Sequence, residues 1–158
     1  MHDDAPIATT RHILDHCLGL QLQRAARVVA RRLDEALRPL ELTSGQFELL
    51  VLLGRTPAGR IGAVAKPLGR DRTTITAILK PLTHRSLVAV TVDPDDSRGR
   101  TLTLPPAGKD LLAATIPVWR RFHARTEHLF ASDEADLLRR SLTTLSQICE
   151  NPKDEEER

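Results

Sequence analysis

The sequence predicts a mainly α chain with a small β-hairpin (α+β), and three observations predict it. Leu supplies 25 of the 158 residues, while Phe, Trp and Tyr together supply 4. Unbranched apolar side chains lose little rotamer freedom in a helix. Apolar residues recur at spacings of three and four through most of the chain, the period of one helix face. Only between residues 88 and 104 does the period fall to two, as in a strand. The length suits one domain, 1–158, with a core that needs no cross-links. Two cysteines, Cys17 and Cys149, cannot build a disulfide framework. Met1 to Thr10 carries two acids and no apolar core, so no signal peptide is expected. The longest strongly apolar run, Leu49 to Leu53, is far below the ~20 residues of a membrane span. A cytoplasmic chain without membrane association is therefore expected.

Residues 11–38 read as one long amphipathic helix. Leu14, Leu18, Leu22, Ala25, Val29, Leu33 and Leu37 share a face, and Arg24, Arg27, Arg31, Arg32 and Arg38 occupy the other. Pro39 stops it. Thr43 and Gln46 then form a capping box, each side chain satisfying a free N–H of the first turn. The helix they open has Phe47, Leu50, Val51 and Leu53 as its expected apolar side, and Thr56 to Gly59 breaks it.

Two shorter helices follow. Ile61 to Leu68 closes at Gly69. The next starts behind Asp71, a good N-cap, with the stripe Ile75, Ile78, Leu79 and Leu82 and an opposite face of Arg72, Thr73, Thr76, Ala77 and Lys80. Helix, tight Gly-containing turn and helix make a helix-turn-helix. Pro67 falls within the first of these helices. Pro81 falls within the second and removes a hydrogen bond to Ala77, so that helix is expected to kink or end early.

Val88, Val90 and Val92 then alternate with Ala89 and Thr91, and Leu102 and Leu104 alternate with Thr101 and Thr103. The turn-rich run 93–100 between them makes this a hairpin, which must pack on the helices to be stable. Pro105 and Pro106 end the strand, and Pro106 suits a first helical turn. A helix is expected to about Phe130, kinked at Pro117. Ser132 is the expected cap of a last helix to about Cys149, with Asp133 and Glu134 facing its positive end. The divisions expected are helices at 11–40 and 106–149, a helix-turn-helix and hairpin lobe at 43–104, and a charged tail at 150–158.

The net charge of +2 is unevenly placed: −1 over residues 1–54, +5 over 55–100, +1 over 101–149 and −3 over 150–158. The basic segment coincides with the helix-turn-helix and the hairpin, which points to a polyanion partner. A helix fits the major groove, where Arg pairs with guanine and a Thr methyl meets a thymine methyl. Arg70, Arg72, Thr73, Thr74 and Thr76 stand at the start of the second motif helix, and Lys80 one turn on suits a phosphate. Arg98 and Arg100 of the hairpin suit the minor groove, with Asp96 orienting Arg98. The plainer reading makes these residues a solvated surface.

Leu68-Gly69-Arg70-Asp71-Arg72-Thr73-Thr74-Ile75-Thr76, Leu87-Val88, Asp93-Pro94-Asp95-Asp96-Ser97-Arg98 with its Asp-x-Arg, and Leu104-Pro105-Pro106-Ala107-Gly108 together resemble the MarR family of bacterial winged helix-turn-helix transcription regulators. The resemblance spans roughly residues 11–149. Arg60 departs from it, standing where a capping Thr or Ser is usual, as does Pro105 in place of Thr. It implies a homodimer paired through the terminal helices, with two winged lobes reading a pseudo-palindromic double-stranded DNA operator. Repression is the family default. It also implies release by a small aromatic or phenolic effector, for which Cys17, Gln21, Arg24, Phe47, Trp119, Phe122 and His123 are the candidate lining. Part of the family senses organic peroxides through a cysteine near the start of the first helix, which makes Cys17 a redox alternative. Tyrosines assist there, and this chain has none.

His12 and His16, and likewise His123 and Glu127, are four apart, but two ligands do not make a metal site. No cofactor is expected. No Gly-rich phosphate loop, nucleophile elbow or paired metal motif appears, so an enzyme is not expected. A winged protein-interaction module is the competing reading, and the cationic face distinguishes the two.

Overall fold

The structure, a computed structural model, describes residues 5–55, 59–93 and 96–150, with the side chains of 5–8, 59, 61–62, 93, 96–98 and 148–150 left outside the description. Cys17 divides the expected long helix into α1 (Ala5–His16) and α2 (Leu18–Leu37). Residue 17 is extended, at φ −74° and ψ 107°. Gln21 reaches back over the break and donates its Nε2 to the Asp15 carbonyl at 2.5 Å. The apolar spacing runs on through the break, and no Gly or Pro marks it, so the pattern reads as one helix. Pro39 acts as expected: α2 gives way to a 3-10 turn, Arg38–Leu40, and Glu41 turns left-handed at φ 53°.

The capping box forms at α3 (Ser44–Arg55): Thr43 donates its N–H to Gln46 Oε1 at 2.9 Å, and Gln46 donates its N–H to Thr43 Oγ1 at 3.3 Å. Asp34 Oδ1 accepts the Ser44 N–H and ties α3 to α2. The buried face of α3 is Gln46, Leu49, Leu50 and Leu53, a strict i, i+3, i+4, i+7 set. Val51, expected on that face, is exposed, because it stands ~100° around the helix from Leu50. Phe47 is half-buried.

Regular α structure in α4 (Ile61–Ala65) ends before Pro67. Gly69, at φ 56°, donates its N–H to the Lys66 carbonyl, and Arg70 donates its N–H to the Ala65 carbonyl. This is the Schellman closure, which requires a left-handed residue where Gly69 stands. α5 (Arg72–His84) follows immediately. It continues a turn past Pro81, contrary to the expected early end. Ser86, at φ 56°, then repeats the closure: its N–H reaches the Thr83 carbonyl and the Leu87 N–H reaches Leu82. Leu82 and Leu87 are both buried, which supplies the apolar contact that accompanies the motif.

The hairpin carries a third strand. β1 (Gly59–Arg60) pairs antiparallel with β3 (Asp96–Thr103), which also pairs antiparallel with β2 (Ala89–Asp93), in the order β1-β3-β2. A two-residue strand has no period to read. The turn-rich run expected as a loop is mostly strand, because β3 already begins at Asp96. Val90 faces Leu102 across the ladder and Val92 faces Arg100. Leu102 is fully buried, whereas Val90 and Val92 are 40% and 55% exposed, so only the base of the hairpin belongs to the core.

α6 (Pro106–Glu127) opens on Pro106 and passes Pro117 without interruption, ending slightly before the expected Phe130. Gly108 is required at its start, since a Cβ there would collide with the Leu87 carbonyl. α7 (Glu134–Glu150) begins two residues after Ser132. Its Glu134 carboxylate accepts the Ala131 N–H at 2.8 Å, so the reach-back comes from Glu134 at a helix start expected to rest on Ser132.

The chain forms two compact units, residues 1–119 and 120–158. In the first, Leu37, Leu49, Leu50, Leu79, Leu82, Leu87 and Leu102 form one core with their buried neighbours. In the second, Arg139 pairs with Glu127 and Asp136, and Glu127 also faces His123 Nε2 at 3.3 Å.

Candidate nucleic-acid interface

α5 is built from its cap outward. Asp71 Oδ1 accepts the Thr74 N–H and Oδ2 accepts the Thr74 hydroxyl, both at 2.8 Å. These bonds, led by the one from the Thr74 backbone, favour the ionised carboxylate and hold Asp71 below its usual value. Ile75, Leu79 and Leu82 bury the opposite side of the helix. With one side fixed and the start capped, Arg72, Thr73, Thr76 and Lys80 all stand exposed. Arg72, Thr76 and Lys80 follow at i, i+4 and i+8, which puts them on one face. The Thr76 hydroxyl donates to the Arg72 carbonyl at 2.8 Å, leaving its oxygen lone pairs and methyl for a partner.

Two of the expected contact residues also bond within the lobe. The Thr74 hydroxyl belongs to the cap. Arg70 donates from Nη2 to Glu48 Oε2 of α3 at 2.9 Å, and its buried Nε has no hydrogen-bond partner among the described residues. Arg70 thus braces the turn of the motif against α3. Arg85 does the same at the far end of α5, donating to the Glu41 carbonyl at 2.6 Å and approaching its carboxylate at 3.6 Å. Glu48, Arg85 and Glu41 were not legible as positioning residues, since each pairs with a residue distant in sequence.

In the hairpin, Arg100 is exposed and donates Nη1 to the Gly99 carbonyl at 3.1 Å. Asp96 lies opposite Asp93 in the ladder, and Arg98 follows on β3; their side chains, and that of Cys149, lie outside the described residues.

The candidate effector residues are distributed over both units. Cys17 is half-buried at the α1–α2 break with a free thiol, Gln21 bonds across that break, and Arg24 is exposed on α2. Phe47 packs on the core and Trp119 is 38% exposed near the end of the first unit. Phe122 and His123 are half-buried in the second unit. The rings of His12 and His16 stack at 4.2 Å. Among the described residues, no group of three or more His, Cys, Asp or Glu is arranged to hold a metal, and no helix is long and apolar enough to cross a membrane.

Residues 42–99, from just before α3 into β3, match the model of the MarR family. The chain also resembles the transcriptional repressor CouR, solved bound to a 23-mer DNA duplex, at 31% identity over 85% of this chain and 95% of that one, with a TM-score of 0.77. The chain belongs to the MarR family. Other solved regulators are similar as well. The MosR regulator of M. tuberculosis, solved with DNA, is 28% identical over 87% of this chain and 99% of that one, with a TM-score of 0.77. BpsR of Bordetella bronchiseptica, whose DNA binding is regulated by 6-hydroxynicotinic acid, is 26% identical over 83% and 94%, with a TM-score of 0.76. CouR of Rhodococcus jostii RHA1 is also solved with p-coumaroyl-CoA, at 25% identity over 84% and 94% and a TM-score of 0.72. The MarR-family departure at Arg60 is visible in the fold: it takes the N-cap position of α4 with no side-chain capping bond.

Proposed function

We propose that this MarR-family chain is a sequence-specific double-stranded DNA-binding transcriptional regulator, a repressor released by a small-molecule effector. It works as a cytoplasmic homodimer on a pseudo-palindromic operator and is not an enzyme. The observation that carries this reading is the exposed Arg72, Thr73, Thr76 and Lys80 face on a helix whose other side is buried and whose start is capped. Such a helix presents its N-terminal half rigidly to the major groove. Arg72, Thr73 and Thr76 read bases, while Lys80 holds phosphate. Arg98 and Arg100 follow the hairpin into the minor groove, with Asp96 orienting Arg98. The DNA duplexes held by CouR and MosR support the partner. The 6-hydroxynicotinic acid of BpsR and the p-coumaroyl-CoA of CouR support an aromatic effector.

The dimer is supported by apolar side chains that the single chain leaves in water, among them Ile13, Leu14 and Leu18 near the start and Leu137, Leu138, Leu142 and Leu145 on α7. The test is capture of genomic fragments on the immobilised protein, followed by sequencing and titration of the recovered duplex. Retention of a discrete two-fold sequence with nanomolar affinity is expected. Retention of random fragments with one common affinity would contradict the proposal.

A further inference from the structure

Arg24, Arg27 and Arg31 follow on α2 at i, i+3 and i+7, which keeps all three within an arc of roughly 60° on one face. All are exposed, and among the described residues none has an acidic partner within ion-pair distance. Of the two acids on α2, Asp34 accepts the Ser44 N–H and Glu35 stands a turn beyond Arg31. A helix dipole favours cations only in the last turn, which these three arginines precede. The net charge of −1 over residues 1–54 conceals the stripe, since a count by segment ignores which face a charge occupies.

An open groove of about 620 Å³ separates α2 from α5. Ala30 lines it from α2, Gly45 from the start of α3, and Thr73 and Ala77 from α5. Small residues keep it open: a Cβ on Gly45 would already stand 3.2 Å from Ile78 Cδ1. Thr73 is one of the proposed base-reading residues, so α2 forms the far wall of a groove whose near wall enters DNA. Arg27 lies roughly 60° around α2 from Ala30 and Arg31 roughly 100°, both to the same side. Arg32 lies roughly 160° away, on the opposite side of the helix.

We infer that this arginine face of α2 is a second DNA surface, which holds the phosphate backbone bordering the major groove that α5 enters. The inference rests on the regulator reading above and extends it to a helix outside the helix-turn-helix and the hairpin. A major groove is bordered by backbone on both sides, and elements beside the helix that enters it meet those phosphates. Guanidinium groups match phosphate oxygens through paired, charge-assisted hydrogen bonds. Arg27 and Arg31 stand nearest the groove, and Arg24, a candidate effector residue, continues the stripe toward the start of α2. Phosphate contacts fix register and carry no sequence. The face of α2 therefore adds affinity for every duplex, while the face of α5 discriminates among them.

The experiment measures the affinity of the full-length protein for the recovered duplex and for a scrambled one over a range of salt concentrations. In Arg27→Ala/Arg31→Ala, both affinities should fall by a similar factor, at least ~10-fold at low salt. The slope of log affinity against log salt should shrink by about two per lobe. Arg27→Lys/Arg31→Lys keeps both charges and should restore most of that slope. Arg32→Ala removes a charge from the opposite side of α2 and should leave the slope unaltered. These side chains are exposed, so the melting temperatures should not change. An unaltered slope in the double alanine variant, or an equal loss per charge in Arg32→Ala, overturns the inference. A shift of the double variant to monomer in light scattering overturns it too, because the face would then hold the partner protomer. No retention of any duplex by wild type contradicts the regulator reading and this face with it. Retention with an unaltered slope contradicts this face alone.

Discussion

α5 and α7 are amphipathic helices of comparable length that meet different fates. α5 has 13 residues and buries Ile75, Leu79 and Leu82 almost completely. α7 has 17 residues and leaves Leu137, Leu138, Leu142 and Leu145 between 37% and 57% exposed. The first stripe is satisfied within the chain, so the opposite face of α5 is held still and is free to bind. Leu138, Leu142 and Leu145 repeat the i, i+4, i+7 spacing of Ile75, Leu79 and Leu82 without the same cover. An exposed apolar patch of this kind on one helix suits an interaction surface. An apolar period specifies a helix face, while the burial of that face depends on what else is present. In the proposed dimer, α7 supplies association and α5 supplies recognition.

Leu82→Ala should destabilise the first unit by about 2–5 kcal/mol, read by chemical denaturation, because Leu82 is fully buried. Leu142→Arg should leave the secondary structure intact by circular dichroism but shift the protein to a monomer in light scattering. Duplex affinity should then fall by at least ~100-fold, since each lobe would bind alone. An unchanged dimer would remove the role given to α7. Lys80→Ala should weaken all duplexes alike and reduce the slope of log affinity against log salt by about one. Asp71→Ala should give the smallest effect. The Asp71 carboxyl is held below its ordinary value near 3.8, so its contribution to stability is present above that value and is lost as pH falls through the lowered one. The wild-type and variant stabilities should therefore differ by a constant amount at neutral pH and converge on acidification.

The features legible in the sequence are local ones. The Thr43–Gln46 box, the Asp71 cap, the Gly69 closure and Pro106 each act within three to five residues, so spacing and residue type specify them. The break at Cys17 escaped because the leucine spacing runs through it, while β1 is too short to carry a period. Val51 stands a single helical step away from the buried face of α3. In the interface, the exposed positions of α5 follow directly from its buried stripe. The bracing of that helix does not. Arg70 meets Glu48 across 22 residues and Arg85 meets the Glu41 carbonyl across 44, distances over which sequence spacing carries no pairing rule. For the same reason the pairing of Arg70 with Glu48 is not legible in the sequence.

Arg72→Ala decides whether the exposed face of α5 reads DNA sequence. The measurement is titration of the recovered duplex and of a scrambled duplex with wild type and variant at one fixed salt concentration. Loss of about 1–3 kcal/mol on the recovered duplex, with little change on the scrambled one, is the expected result. Equal affinities of wild type and variant for the recovered duplex would contradict it.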